Sequence, residues 1–208
     1  MGLRDISIPL RVGAPHWPGD TPFSCGWSSS IATGASVNLS TLTTSPHVGT
    51  HADAPLHVLD GAAASHELPL DAFLGPAFVR TIASGEHEIE LSALRLPVTP
   101  EPLVRLLLRT GHSIAAGTFP DGWPALSPDA ARELTANGLR LLGVDAPSVD
   151  LRHSRTLEIH RALFGGSACV LENLDLRDVP DGPCELLALP LLAHGLDAAP
   201  VRALLRLP

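Results

Sequence analysis

The chain has 208 residues, 45% of them hydrophobic and 17% charged, which predicts a soluble globular protein, one domain over residues 1–208 with an adequate core. Its net charge of −8 argues against a nucleic-acid or anionic-membrane surface, since either needs a basic patch. All 14 basic residues are Arg, which excludes a Schiff-base lysine, a P-loop lysine and a Ser-Lys dyad, and the lack of Tyr excludes a tyrosine general acid. Cys25, Cys169 and Cys184 form no CxxC pair and are expected as reduced thiols of a cytoplasmic protein, filling core space rather than binding metal. The segment Met1-Gly2-Leu3-Arg4-Asp5 lacks the apolar run of a signal peptide, and the apolar tract over 186–193 is too short to span a membrane.

In chain order, residues 3–10 alternate loosely up to Pro9 and predict a first strand. Pro18, Gly19 and Pro22 make 16–23 a loop, in which Trp17 either caps the core or faces a ligand. Residues 26–44 are rich in Ser, Thr and small side chains, and the alternation of Val37, Leu39, Thr41 and Thr43 predicts a strand entering segment 47–57. Beyond that segment, 59–65 reads as a loop, 70–74 as a short turn or helix, and 77–83 as a strand. His87-Glu88-Ile89-Glu90 is expected as a solvated edge rather than a ligand set. Thr99-Pro100-Glu101-Pro102 reads as the cap of a helix running to about Arg109, with Leu103, Leu106 and Leu107 on one side. Residues 113–117 are expected as a buried strand, and 119–125 as a broken loop whose Phe119 and Trp123 wall a pocket or fill the core.

Ser127 and Pro128 open a second helix that Asn137-Gly138 closes. A strand over 139–144, a loop over 145–150 and a third helix over 156–164 follow, and Gly165-Gly166 end that helix. Strands over 167–172, 185–193 and 200–207 complete the chain. No GxGxxG follows a strand, so no dinucleotide site is implied. The mixture fits an α/β domain of strands around a few helices, without regular βαβ alternation.

The densest chemistry lies in His47-Val48-Gly49-Thr50-His51-Ala52-Asp53-Ala54-Pro55-Leu56-His57. Its three histidines and one aspartate sit at odd positions, which in extended chain share a face. Asp53 lies roughly 6.6 Å along a strand from His51, so both can reach one ion. His47 would be about 13 Å from His51 in a fully extended chain, so the chain must fold back, and Gly49-Thr50 is where it can. Pro46, Gly49 and Pro55 argue against a helix here. Imidazole and carboxylate at this density point to a metal rather than to satisfied loop residues.

This eleven-residue motif resembles the signature of the cyclase family of metal-dependent hydrolases. Trp17-Pro18-Gly19-Asp20, Gly143-Val144-Asp145-Ala146-Pro147, Ser154 to His160 and Leu171-Glu172-Asn173-Leu174 carry the resemblance along nearly the whole chain. It implies a swivelling β/β/α architecture, a mixed sheet curled toward a barrel with a few packed helices. Within the family the resemblance is to the bacterial kynurenine formamidases, or arylformamidases. It implies hydrolysis of N-formyl-L-kynurenine to L-kynurenine and formate in tryptophan catabolism, and a homodimer.

The ligand set implied is two zinc ions, with manganese also suited to these donors. His47, His51 and Asp53 hold the first ion, His160 holds the second, and Asp53 and Glu172 bridge. The implied nucleophile is a hydroxide carried by the metals, with His57 as general acid/base and Trp17 stacked on the aromatic substrate. His57 is alternatively a further nitrogen ligand or a partner that orients Asp53. Asp20, Asp145 and Asp150 are candidates for orienting ligands from behind, and His153 is a spare ligand near His160. The competing readings are another amide hydrolase of the family, such as an isatin hydrolase, and a non-catalytic metal-binding protein.

Overall fold

The computed structural model describes residues 2–83, 87–97 and 102–208. Its elements are β1 (Leu3–Asp5), β2 (Ser24–Ser29), β3 (Leu39–Thr43), β4 (His51–Asp53), β5 (Leu74–Thr81), β6 (Glu88–Ile89), β7 (Arg105–Arg109), β8 (Ala125–Leu126), α1 (Pro128–Ala136), β9 (Leu141–Val144), α2 (Glu158–Gly165), β10 (Cys169–Glu172), β11 (Gly182–Leu187), β12 (Ala198–Pro200) and β13 (Leu204–Arg206). Nine of these strands form one mixed sheet in the order β1-β13-β11-β5-β7-β9-β10-β4-β12. Neighbours from β5 to β10 are parallel and the flanking pairs antiparallel. The sheet curls into a half-barrel, as the α/β resemblance implied.

Alternation along the central strands feeds two cores. Leu107, Leu141 and Leu171 point into the curl, against Phe73, Leu186 and Leu205. Leu106, Leu108, Leu142 and Val170 face the other way, under Ala131 and Leu134 of α1 and Ile159 and Leu163 of α2. The two helices can approach because Gly166 has no Cβ; one placed there would sit 2.4 Å from Thr135 Cβ.

This two-sided burial corrects the helix expected up to Arg109. Arg105–Arg109 is strand β7, and its run Leu106-Leu107-Leu108 fills both faces of the sheet, the pattern of a buried parallel strand. Three leucines at helix-like spacing carried no more information than a continuous apolar run does. The cap proposed at Thr99-Pro100-Glu101 lies outside the described residues.

Residues 113–117 likewise form a 3-10 turn, Ile114–Ala116, which Ser113 Oγ caps by accepting from Ala115 N–H and Gly117 ends at φ 91°. The expected final strand divides in two: β12 pairs with β4, and β13 pairs with β1 and β11. The strand expected over 185–193 stops at Leu187, and Pro190 makes an isolated bridge to Val201. At the expected solvated edge, Ile89 is buried and β6 pairs with β8, while His87, Glu88 and Glu90 stay exposed. Strand β2 had no apolar alternation to announce it; it pairs with β3 as an exposed hairpin outside the main sheet.

Helices α1 and α2 fall where their punctuation placed them. Ser127 Oγ accepts from Ala130 N–H and Pro128 opens α1. Among the described residues, no helix is long and apolar enough to cross a membrane.

Candidate metal centre

Strand β4 is the frame of the site. Residues two apart on it share a face, so His51 and Asp53 point the same way. The antiparallel partner β10 sets Glu172 directly opposite His51, which adds a second carboxylate to that face. Gly49 turns the chain back, as its place in the motif predicted. Its φ is 73°, and a Cβ there would meet Ile8 O at 3.0 Å. The turn carries His47 to Asp53, and α2 brings His160 from the other side.

The contacts sort by oxygen atom. Asp53 Oδ1 lies 3.1 Å from His47 Nδ1 and 3.3 Å from His51 Nε2, while Asp53 Oδ2 lies 3.1 Å from His160 Nε2. Glu172 also divides, with Oε2 3.5 Å from His51 Nε2 and Oε1 3.3 Å from His160 Nε2. Five sequence candidates, His47, His51, Asp53, His160 and Glu172, therefore converge. His57 joins them, its ring centroid 4.5 Å from that of His47 and 5.7 Å from that of His160.

These donors fit a metal on two observations. His51 Nε2 and Asp53 Oδ1 are buried, face one another, and have no hydrogen-bond partner, an expensive arrangement unless a cation lies between them. The spacing is also right: ligands on a tetrahedral ion with bonds of about 2.0–2.1 Å stand about 3.3 Å apart. Two triads, His47-Asp53-His57 and His51-Asp53-Glu172, bring one donor atom each within 4.8 Å of one another.

The remaining ring nitrogens are already engaged. His51 Nδ1–H donates to the Gly49 carbonyl at 2.9 Å, and His160 Nδ1–H donates to Asp150 Oδ2 at 2.6 Å. Both bonds leave Nε2 as the free nitrogen on the cluster side. Asp150 also accepts Ile159 N–H and His160 N–H, capping α2, whose own N-cap residue Leu157 makes no side-chain bond. Val149 N–H holds Glu172 Oε1 at 2.8 Å.

The two buried carboxylates draw positive charge onto the imidazoles. Burial alone would lower the His47 pKa, but the Asp197 and Asp53 carboxylates beside the ring push it up to about 10. Burial opposes His51 likewise, and the Asp53 charge raises it to about 9. His160 is raised well above its ordinary value because Asp150, Asp53 and Glu172 together outweigh its burial. Burial pushes Asp53 and Glu172 upward, yet the histidines around them hold both below the usual carboxylate range.

The cluster forms the floor of a cavity of about 740 Å³. Trp17 and Phe119 line it, edge to face with ring centroids 5.5 Å apart. Trp123 packs behind them in the core and donates its indole N–H to the Asp150 carbonyl at 2.8 Å. Phe119 and Trp123 thus divide the two roles the sequence left open.

Of the orienting candidates, Asp150 meets His160 directly. Asp20 lines the cavity and accepts from Ser45 Oγ at 3.2 Å. Asp145 is spent elsewhere, on Thr110 and Gly111, which ties the end of β9 to the turn after β7. His153 faces a separate cavity with His87 and His112. Sequence reasoning missed Asp197, whose Oδ2 accepts from His47 Nε2–H at 2.9 Å and His57 Nδ1–H at 3.2 Å. These two contacts, His47 first, hold the Asp197 carboxyl far below its ordinary range.

Fold and cluster define the class first: a curled mixed-sheet α/β protein with a candidate metal site, rich in carboxylate and imidazole, at the floor of an open cavity. The Cyclase family model matches residues 4–151, and the chain belongs to this family. A kynurenine formamidase of Paracidovorax citrulli is 41% identical over 212 residues, covering 99% of this chain and 97% of the relative. The kynurenine formamidase of Bordetella pertussis is 41% identical over 210 residues, covering 98% and 97%. A solved structure described as a potential metal-dependent hydrolase with cyclase activity superposes with a TM-score of 0.84 at 28% identity, covering 100% of this chain and 99% of that one. Isatin hydrolase A from Labrenzia aggregata, bound to benzyl benzoate, superposes with a TM-score of 0.82 at 25% identity, covering 98% and 93%.

Proposed function

We propose that this chain hydrolyses N-formyl-L-kynurenine to L-kynurenine and formate, as a single cyclase-family domain over residues 1–208. The observation that carries the proposal is the buried His/Asp/Glu cluster at the floor of an aromatic-walled cavity, in a chain resembling kynurenine formamidases end to end. His47, His51 and Asp53 would hold one zinc ion and His160 a second, with Asp53 and Glu172 bridging. Zinc bound by such donors acidifies water and polarises a carbonyl.

The chain's own residues do the rest. Trp17 receives the aryl ring, a flat face against a flat face, and Phe119, perpendicular to Trp17, closes the side of the slot. His57, 30% exposed on its side chain and lining the cavity, accepts the proton released when water adds to the formyl carbon. It then returns that proton to the aryl nitrogen as the C–N bond breaks, giving the free arylamine and formate.

The same reading includes manganese as an alternative metal, since these donors also suit it. It includes a homodimer, supported by the β2–β3 hairpin, which leaves Trp27, Ile31, Val37, Leu39 and Leu42 exposed. Cytoplasmic residence is supported by the three free cysteines. A second reading, hydrolysis of the cyclic amide isatin, is favoured by the likeness to isatin hydrolase A. Measuring kcat/KM for both amides on one metal-loaded preparation tests the choice. A clear preference for N-formyl-L-kynurenine is expected; a preference for isatin would replace the first reading with the second.

A further inference from the structure

We propose that Asp197 is a positioning residue that sets the tautomer of two rings at once: His57 is made to present Nε2 to the cavity, and His47 to present Nδ1 to the metal donors. The inference rests on the formamide-hydrolysis reading for its catalytic meaning, but not for its geometry. One carboxylate oxygen, Asp197 Oδ2, receives His47 Nε2–H at 2.9 Å and His57 Nδ1–H at 3.2 Å. Among the described residues, Asp197 is the only side chain hydrogen-bonded to the His57 ring. His47 is thereby turned opposite to His51 and His160, both of which point Nε2 at the cluster.

The backbone fixes this arrangement before any ligand enters. Asp197 stands immediately before β12, which pairs with β4 so that Ala198 lies opposite Asp53. The Asp197 carbonyl accepts Ala54 N–H at 2.8 Å, and the carbonyl of its neighbour Leu196 accepts Ser65 N–H at 2.9 Å. Ala54 in turn starts the 3-10 turn Pro55–His57, its carbonyl accepting His57 N–H at 2.9 Å. Asp197 and His57 therefore hang from one residue, Ala54, through its N–H and its carbonyl.

Chemically, a His57 ring held with its proton on Nδ1 has a lone pair on Nε2, the atom that must take up the proton from water. Through both transfers the Asp197 carboxylate goes on accepting from Nδ1–H and does not itself take up the proton. A His57 released from Asp197 can adopt the other tautomer, with Nε2–H facing the cavity and no capacity to accept.

The test compares zinc-loaded wild type, Asp197→Ala and Asp197→Asn, each with and without His57→Ala, on N-formyl-L-kynurenine. Asp197→Ala is expected to lower kcat about 10–100-fold with KM within about twofold, and to weaken zinc about tenfold through His47. In the His57→Ala background the same change is expected to cost less than about twofold more in kcat, because its route is already gone. Long-range ¹⁵N–¹H spectra are expected to show His57 as the Nδ1–H tautomer in wild type and shifted toward Nε2–H in Asp197→Ala. Asp197→Asn keeps the side-chain volume and one carbonyl acceptor. It is expected to melt like wild type while lowering kcat in the same direction, which covers a failure of the alanine variant to fold.

An unchanged His57 tautomer in both variants overturns the proposal, as does an equal fold-loss with and without His57. If wild type fails to turn over the formamide, the functional reading falls, and the tautomer and zinc affinity still decide the positioning role.

Discussion

Replacing Asp150 with Asn isolates one interaction on which the metal site depends. Asp150 performs two jobs with one side chain: it takes His160 Nδ1–H at 2.6 Å and caps α2 through Ile159 N–H and His160 N–H at 3.0 and 3.1 Å. Asn keeps the volume and an acceptor oxygen for the cap, so the cap loss is expected to stay within a few tenths of a kcal/mol, against about 1 kcal/mol for Ala. What Asn removes is the negative charge behind His160 and, with its one amide oxygen kept on Ile159 N–H, the acceptor for His160 Nδ1–H; together these make that imidazole a stronger donor and fix Nε2 toward Asp53 and Glu172. Losing such a partner costs about 10–100-fold in metal affinity, or about 1.4–2.7 kcal/mol. Competition with a chromophoric chelator reads the zinc affinity, and thermal melting of the metal-free protein reads the cap. The expected result is weaker zinc with a nearly unchanged melting temperature. Unchanged zinc affinity with a lowered melting temperature would show that Asp150 only caps the helix, and would remove His160 from the metal site.

Four further outcomes follow from the same geometry. His47 and His51 titrate near 10 and 9 in the metal-free chain, so zinc must displace their protons at neutral pH. Zinc affinity should therefore rise from pH 7 to pH 9, with a slope approaching about two log units of affinity per pH unit if both rings are ligands; calorimetry in buffers of different ionisation enthalpy counts the protons released, and a flat profile would exclude both rings. The same raised values imply that the metal-free fold is stabilised by these imidazoliums fully below about pH 6.5 and loses that contribution as pH passes 9 to 10, so its melting temperature should fall across that range while zinc-loaded protein falls less. His57→Ala should keep full metal content and lose turnover; zinc lost together with activity would make His57 a ligand instead. Gly143→Ala places a Cβ 2.5 Å from Leu107 Cδ2 and 2.9 Å from Leu174 Cδ1, in the sheet beside the cluster. Overpacking of this kind costs about 1–3 kcal/mol, and denaturant unfolding that leaves stability unchanged would mean that this part of the core is loosely packed.

The candidate site was legible where its residues are local. His47, His51, Asp53 and His57 share eleven residues, so the fold-back at Gly49 and the common face of β4 could be read from spacing and glycine alone. His160 and Glu172 lie far along the chain and gained meaning only from the family resemblance, because an ionisable residue amid apolar neighbours has no unique partner until the strands are paired. Asp197 shows the limit most plainly. Its value depends on β12 docking against β4 across about 140 residues of sequence, and nothing next to it in Leu196-Asp197-Ala198 marks it as more than a turn residue.

The fold divided in the same way. Helices α1 and α2 carry their own end signals, Pro128 at one start and Gly166 at the other end, and both were found. Strand β7 has no polar face to give it a period, so its leucines read equally well as helix, and the decision belonged to the two cores that cover it. The hairpin strand β2 is the converse: exposed along its length, it shows no buried periodicity at all.

Formate release from N-formyl-L-kynurenine by metal-stripped protein, before and after zinc is restored, bears most directly on the whole account. Negligible release from the stripped protein and recovery on adding zinc are expected, establishing the reaction and its dependence on the His/Asp/Glu cluster together. Full release from the stripped protein would contradict the metal site, and no release with either zinc or manganese would contradict the formamidase activity.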